Sequence, residues 1–172
     1  MPNTKSVGVA FSDPELTAGT TITGAVIDST SKIASNVASG FSEMMQGATI
    51  ATTGNSDVYV IADAAGVLTS ARFSGTDALA ASDTNYITFS LTNLGNTGSG
   101  SAAMLAATDA NTTKTTGGTA LTANALRNLT LNGTAANLVV AAGDRIRARA
   151  AVTGTLANTV TFPVYNLIYT VA

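Results

Sequence analysis

"TNYITFSLTNLG", Thr84 to Gly95, is the stretch that sets the architecture. Within it Ile87, Phe89 and Leu91 alternate with Thr88, Ser90 and Thr92. Successive side chains of extended backbone leave opposite sides, so this period of two predicts a strand with one apolar and one hydroxyl face. The turn formers "GNTGSG", Gly95 to Gly100, close it.

The same alternation recurs along the chain. In "AAGDRIRARAAVTG", Ala141 to Gly154, the residues Ile146, Ala148, Ala150 and Val152 alternate with Arg145, Arg147, Arg149 and Ala151. That predicts a strand with one arginine face, entered through Gly143-Asp144 and left at Gly154, whose first reading is a solvated outer face, ahead of an acidic protein partner and of nucleic acid. In "GVLTSARFSG" the expectation is Val67, Thr69, Ala71 and Phe73 on one face, with Leu68, Ser70 and Arg72 on the other. "VYVIAD", "SAAMLAAT" and "LRNLTLNG" are further strand candidates, separated by "GTDALAASD", "DANTTKTTGGT" and "NGTAAN". In "NTVTFPVYNLIYTV", Val160, Phe162 and Val164 alternate, and Leu167, Tyr169 and Val171 continue on the opposite parity. The slip predicts a bulge or bend between Pro163 and Asn166, and the proline, which has no N–H, predicts a sheet edge or corner. Seven or eight short strands with long polar connections give an all-β, two-sheet sandwich over residues 57–172.

Residues 1–56 have no sustained alternation and are read as an extended N-terminal arm. Ile33, Val37, Phe41 and Met44 fall at spacings of four, four and three, which predicts a short amphipathic helix near 31–46. Ser29 or Ser31 would cap its start and Gly47 its end, while Gly40 weakens it. Such a short helix needs a packing partner. It either docks on its own domain or orders on a neighbouring subunit, and the second is the preferred reading.

Composition narrows the function. Of 172 residues, 45% are hydrophobic but only 10% are charged, against the usual value of roughly 25%. The surface is therefore built from Ser, Thr, Asn, Ala and Gly, which suits either coverage by other protein at little desolvation cost or a simply soluble neutral surface. A formal net charge of −2 argues against a nucleic-acid binder, even with three of the eight basic residues in one strand. Without Cys or His there is no disulfide, no thiolate or imidazole metal site, and no Ser-His arrangement. The expectation is a protein that is not an enzyme and carries no cofactor. No run approaches the roughly 18 apolar residues of a membrane-spanning helix, and the N-terminus has no signal-peptide pattern.

The remaining motifs have plain explanations. "GNTGSG" is followed by no G-K-[ST] and leads from strand to strand, so it reads as a connection. Asp63, Asp77, Asp83 and Asp109 lack calcium-loop spacing and read as turn residues. Both glutamates, Glu15 and Glu43, lie in the arm, which leaves no carboxylate pair for glycoside hydrolysis. A sugar platform of exposed aromatics is limited to four tyrosines, since Trp is absent. Asn111, Asn128 and Asn132 form N-x-[ST] triplets that follow from the Asn- and Thr-rich composition.

Residues 57–172 resemble the capsid decoration, or cement, proteins of tailed bacteriophages. The resemblance rests on "ARFSGTDALAASDTNYITFSLTNLGNTGSGSAAMLA" followed by "LTLNGTAANLVVAAGDRIRARAAVTGTL". It implies a jelly roll and a virion protein on the outer capsid surface, commonly a homotrimer, that clamps neighbouring major capsid subunits. On that expectation Phe11, Ile33, Val37, Phe41 and Met44 are apolar anchors, and Arg145, Arg147 and Arg149 face a sibling subunit or an acidic capsid patch. The partner is then the major capsid protein, with no nucleic acid and no membrane. The rival expectation is a receptor- or carbohydrate-binding module of a head or tail fibre.

Overall fold

The structure, a computed structural model, describes residues 40–171. The strands are β1 (Gly40–Gln46), β2 (Asn55–Ile61), β3 (Gly66–Ser74), β4 (Tyr86–Asn93) and β5 (Ala102–Ala103), then β6 (Arg127–Leu129), β7 (Val139–Val140), β8 (Arg145–Thr153) and β9 (Val164–Val171). Short 3-10 turns occupy Asp109–Asn111 and Ala135–Leu138. The chain is thus nearly all-β, in two antiparallel sheets. One sheet has the order β1-β9-β3-β6, with β7 on the same edge of β3 as β6; the other has the order β2-β8-β4-β5.

Alternation set the inward faces of the long strands. Ile87, Phe89 and Leu91 of β4 are buried, as are Ile146, Ala148 and Ala150 of β8 and Tyr165, Leu167 and Tyr169 of β9. Phe73 of β3 meets Phe89 at 4.6 Å between ring centroids and Tyr165 at 5.1 Å, edge-on, which ties the two sheets together at the middle of the core.

Four expectations need correction. Residues 40–46 form strand β1, so the helix near 31–46 does not extend through them. Phe41, Glu43 and Met45 turn inward at a period of two, while Met44 is 73% exposed on the other face. The helical spacing of Phe41 and Met44 was coincidental. Pairing along β9, from Gly40↔Thr170 to Gln46↔Val164, overrides a weak local preference in a Gly- and Ser-containing segment. Phe11, Ile33 and Val37 lie outside the described residues.

The domain boundary moves with it. The sandwich takes in β1 and the 47–54 connection, where Ile50 is buried and bridges Val160. A boundary at 57 would cut through β2.

In β3 the pairing passes from Leu68↔Tyr169 to Ser70↔Ile168, leaving Thr69 as an extra residue. This bulge puts Leu68 in the core with Ala71 and Phe73, and turns Thr69 outward, where its hydroxyl donates to the Ile168 carbonyl. The expected face held only after the bulge.

The break before β9 lies at Phe162, upstream of the expected 163–166. Phe162 has φ +47° and is 63% exposed, whereas Val160 is buried. A bulky residue with positive φ marks a forced corner. β9 beyond it is regular and lies inside its sheet, flanked by β1 and β3.

Candidate interaction face and groove

β8 runs between β2 and β4, so its arginines stand on the outer face of that sheet. Cross-strand partners give each a different environment. Arg149 lies opposite Asp57 on β2 and Ser90 on β4. Its Nε and Nη2 donate to the two Asp57 carboxylate oxygens at 2.6 and 2.7 Å, a bidentate pair. The hydrogen bonds from Arg149 hold the Asp57 carboxyl below its ordinary range, and the Arg149 guanidinium is raised in turn. Arg145 places its guanidinium 4.7 Å from the Tyr59 ring centroid, a cation–π contact. Arg147, opposite Tyr59 and Thr92, forms no ion pair with a described residue. Its Nε is shielded and unbonded. Tyr59 is 45% and Ile61 63% exposed on the same outer face. The entering turn is fixed by Asp144, whose carboxylate accepts from the Ala141 N–H and the Asn93 side-chain amide. The arginine row stands where alternation placed it, but its three charges are not equivalent.

Next to this face a groove of about 360 Å³ opens between β4 and residues 103–114. Outward-facing Tyr86, Thr88, Ser90 and Thr92 line its floor, and Asp109 and Lys114 its wall. The Lys114 ammonium donates to Asp109 Oδ1 at 2.8 Å and sits 4.9 Å from the Tyr86 ring centroid. That ion pair raises the Lys114 pKa.

The wall is held by buried polar side chains. The Asn111 amide donates to the Ala106 and Thr130 carbonyls and accepts from the Thr130 N–H. Thr113 is fully buried; its hydroxyl accepts from the Ile87 N–H while its own N–H donates to the Ile87 carbonyl. Arg127, on β6, donates to the carbonyls of Ala110, Thr112 and Thr119 at 2.6–2.9 Å and covers the Phe89 ring at 5.1 Å. Burial lowers the Arg127 pKa, yet the group stays charged. Sequence reasoning missed these residues. "DANTTKTTGGT" reads as a turn cluster, and a single arginine in "LRNLTLNG" gives no sign of what it will bind.

Asp77 and Asp83 each tie a turn to a distant segment. Asp77 accepts from the Thr161 N–H and from the hydroxyls of Thr76 and Thr161, and Asp83 accepts from the Thr116 N–H and hydroxyl. Among the described residues no three His, Cys, Asp or Glu side chains converge as a metal site would require. Glu43 faces inward on β1, accepts the Asp63 N–H through Oε1 and leaves Oε2 unbonded, so burial pushes its carboxyl up. No protein-family model matches the chain, and no curated protein or solved structure does so either.

Proposed function

We propose that the chain is a structural virion protein that binds the outer surface of a tailed-phage capsid as a homotrimer and stabilises contacts between major capsid subunits. On this reading it is not an enzyme and its fold is a jelly roll. The strand order supports the fold: β9 inserts between β1 and β3, and β8 between β2 and β4, as a rolled-up pair of Greek keys requires.

The observation that carries the reading is the outer face of β2, β8 and β4. Exposed Tyr59 and Ile61 stand beside Arg147, which pairs with no described carboxylate, and the hydroxyls of Thr88, Ser90 and Thr92. An aromatic ring, an aliphatic side chain and a guanidinium are the groups that dominate protein interfaces, and the hydroxyls around them cost little to dehydrate. An acidic patch on the capsid complements Arg145 and Arg147.

Full-length protein should co-sediment with shells assembled from the major capsid protein of the phage that encodes it, and light scattering should give a trimer mass. Arg147→Glu should weaken shell binding about tenfold or more by placing like charges together. Protein that stays in the supernatant at all shell concentrations would overturn the reading. A carbohydrate-binding module is the second reading, favoured by the groove alongside β4.

A further inference from the structure

We infer that the groove between β4 and residues 103–114 binds a neutral hexopyranose unit of a polysaccharide, with Asp109 and Lys114 gripping two adjacent sugar hydroxyls above a floor of Thr88, Ser90 and Thr92. This deepens the second reading and is independent of shell binding.

The first argument is pre-organisation. The connection from β5 to β6 is long, and long ordered connections in small domains are usually functional. Its groove-facing part is fixed by Asn111, Thr113 and Arg127, none of which points a free donor into the groove. A site gains affinity when its supporting groups hold it in place before the ligand arrives.

The second argument is chemical. A sugar hydroxyl donates one hydrogen bond and accepts others. At the wall a carboxylate and an ammonium lie 2.8 Å apart, both partly solvent-exposed. Two neighbouring hydroxyls meet that pair with one donating to Asp109 and the other accepting from Lys114. The floor adds three hydroxyls that serve as donor or acceptor. Charge selects the ligand class: the Asp109 and Lys114 charges cancel and the floor is neutral, so an anionic sugar gains nothing and meets the carboxylate. A groove of about 360 Å³ is at the small end of ligand sites, suited to one ring rather than a long chain. With no tryptophan platform, affinity should be weak, with Kd of order millimolar.

Full-length ¹⁵N-labelled protein titrated with the methyl glycosides of glucose, galactose, mannose and N-acetylglucosamine tests this by NMR. At least one neutral glycoside should give saturable shifts at amides of residues 88–92 and 109–114. Asp109→Asn and Lys114→Gln should each raise Kd about fivefold or more, with the Ile87 and Thr130 amides, which bond the wall residues Thr113 and Asn111, keeping their wild-type shifts. Gln46→Ala, exposed on the other sheet, should bind as wild type. Saturation by none of the four, tighter binding of the methyl glucuronide than of the methyl glucoside, or wild-type binding by both groove variants would each overturn the inference. Shells are absent from the titration, so its failure and the failure of capsid binding are read separately.

Discussion

On the outer face of β8, guanidinium groups are displayed; on β6, Arg127 turns inward and gives its hydrogen bonds to three carbonyls of one connection. Arg147 and Arg127 are the same residue type, yet among the described residues one has no ion-pair partner and the other commits its donors to three carbonyls. The difference lies in what packs over each strand. Among the described residues the cross-strand neighbours of Arg147 are Tyr59 and Thr92, whereas at Arg127 a long loop brings the carbonyls of Ala110, Thr112 and Thr119 within reach of its guanidinium. A displayed charge is open to a partner of the kind proposed above, and a committed one contributes to stability.

Urea unfolding of two matched variants puts that contrast to its hardest test. Arg127→Met keeps the aliphatic stem but strips donors from the Ala110, Thr112 and Thr119 carbonyls, and should destabilise by about 3 kcal/mol. Arg147→Met should change stability by no more than about 0.5 kcal/mol, as surface changes away from such networks do. Equal losses would erase the distinction between the two arginines. Asn111→Leu, which abandons the Ala106 and Thr130 groups, should cost about 2 kcal/mol in the same assay.

The two regions also differ in how much of them the sequence discloses. A period of two names the side of a strand, so Ile87, Phe89, Leu91 and the three arginines of β8 were placed from the residues alone. It does not name what lies across from that side. The Asp57 partner of Arg149 is 92 residues away, and Asn111 finds Thr130 across a connection with no periodic pattern. Local insertions defeat the rule too: the extra Thr69 reverses the faces on its N-terminal side, and the positive φ at Phe162 breaks parity before β9. β1 was hidden for a different reason. In "GFSEMMQ" the inward Glu43 and outward Met44 break the alternation that names a strand, and pairing with β9 makes it one.

Glu43 and Asp57 sharpen the contrast further, because their carboxyls are shifted in opposite directions. Glu43 is buried with one oxygen unbonded, and burial raises it above 4.5. The folded state therefore holds its proton more tightly than the unfolded chain. The sandwich has the full benefit below the ordinary carboxyl range and loses it as pH rises through the folded value. At neutral pH Glu43→Gln should stabilise by about 1 kcal/mol, since the amide keeps an acceptor for the Asp63 N–H without a buried charge. Stability measured across pH 4–7 should then fall less steeply than in the wild type. A variant less stable than wild type at neutral pH would show that ionised Glu43 is better compensated than its contacts indicate.

The smallest effect belongs to the displayed pair. Arg149 holds Asp57 below 3.8, so this carboxylate contributes stability above that value, and the contribution disappears as pH falls through the lower folded value. Both partners are partly solvent-exposed, which screens the attraction, although the bidentate geometry favours it. A double-mutant cycle of Asp57→Asn and Arg149→Met should give a coupling of about 0.5–1 kcal/mol at neutral pH, lost as pH falls through the lowered folded value of Asp57. The coupling should also shrink in high salt, which the Arg127 effect should not, because its acceptors are carbonyls rather than a facing carboxylate. A salt-insensitive coupling of several kcal/mol would place Arg149 with Arg127 among the committed charges. Arg145 and Arg147 alone would then remain for an acidic partner to recognise.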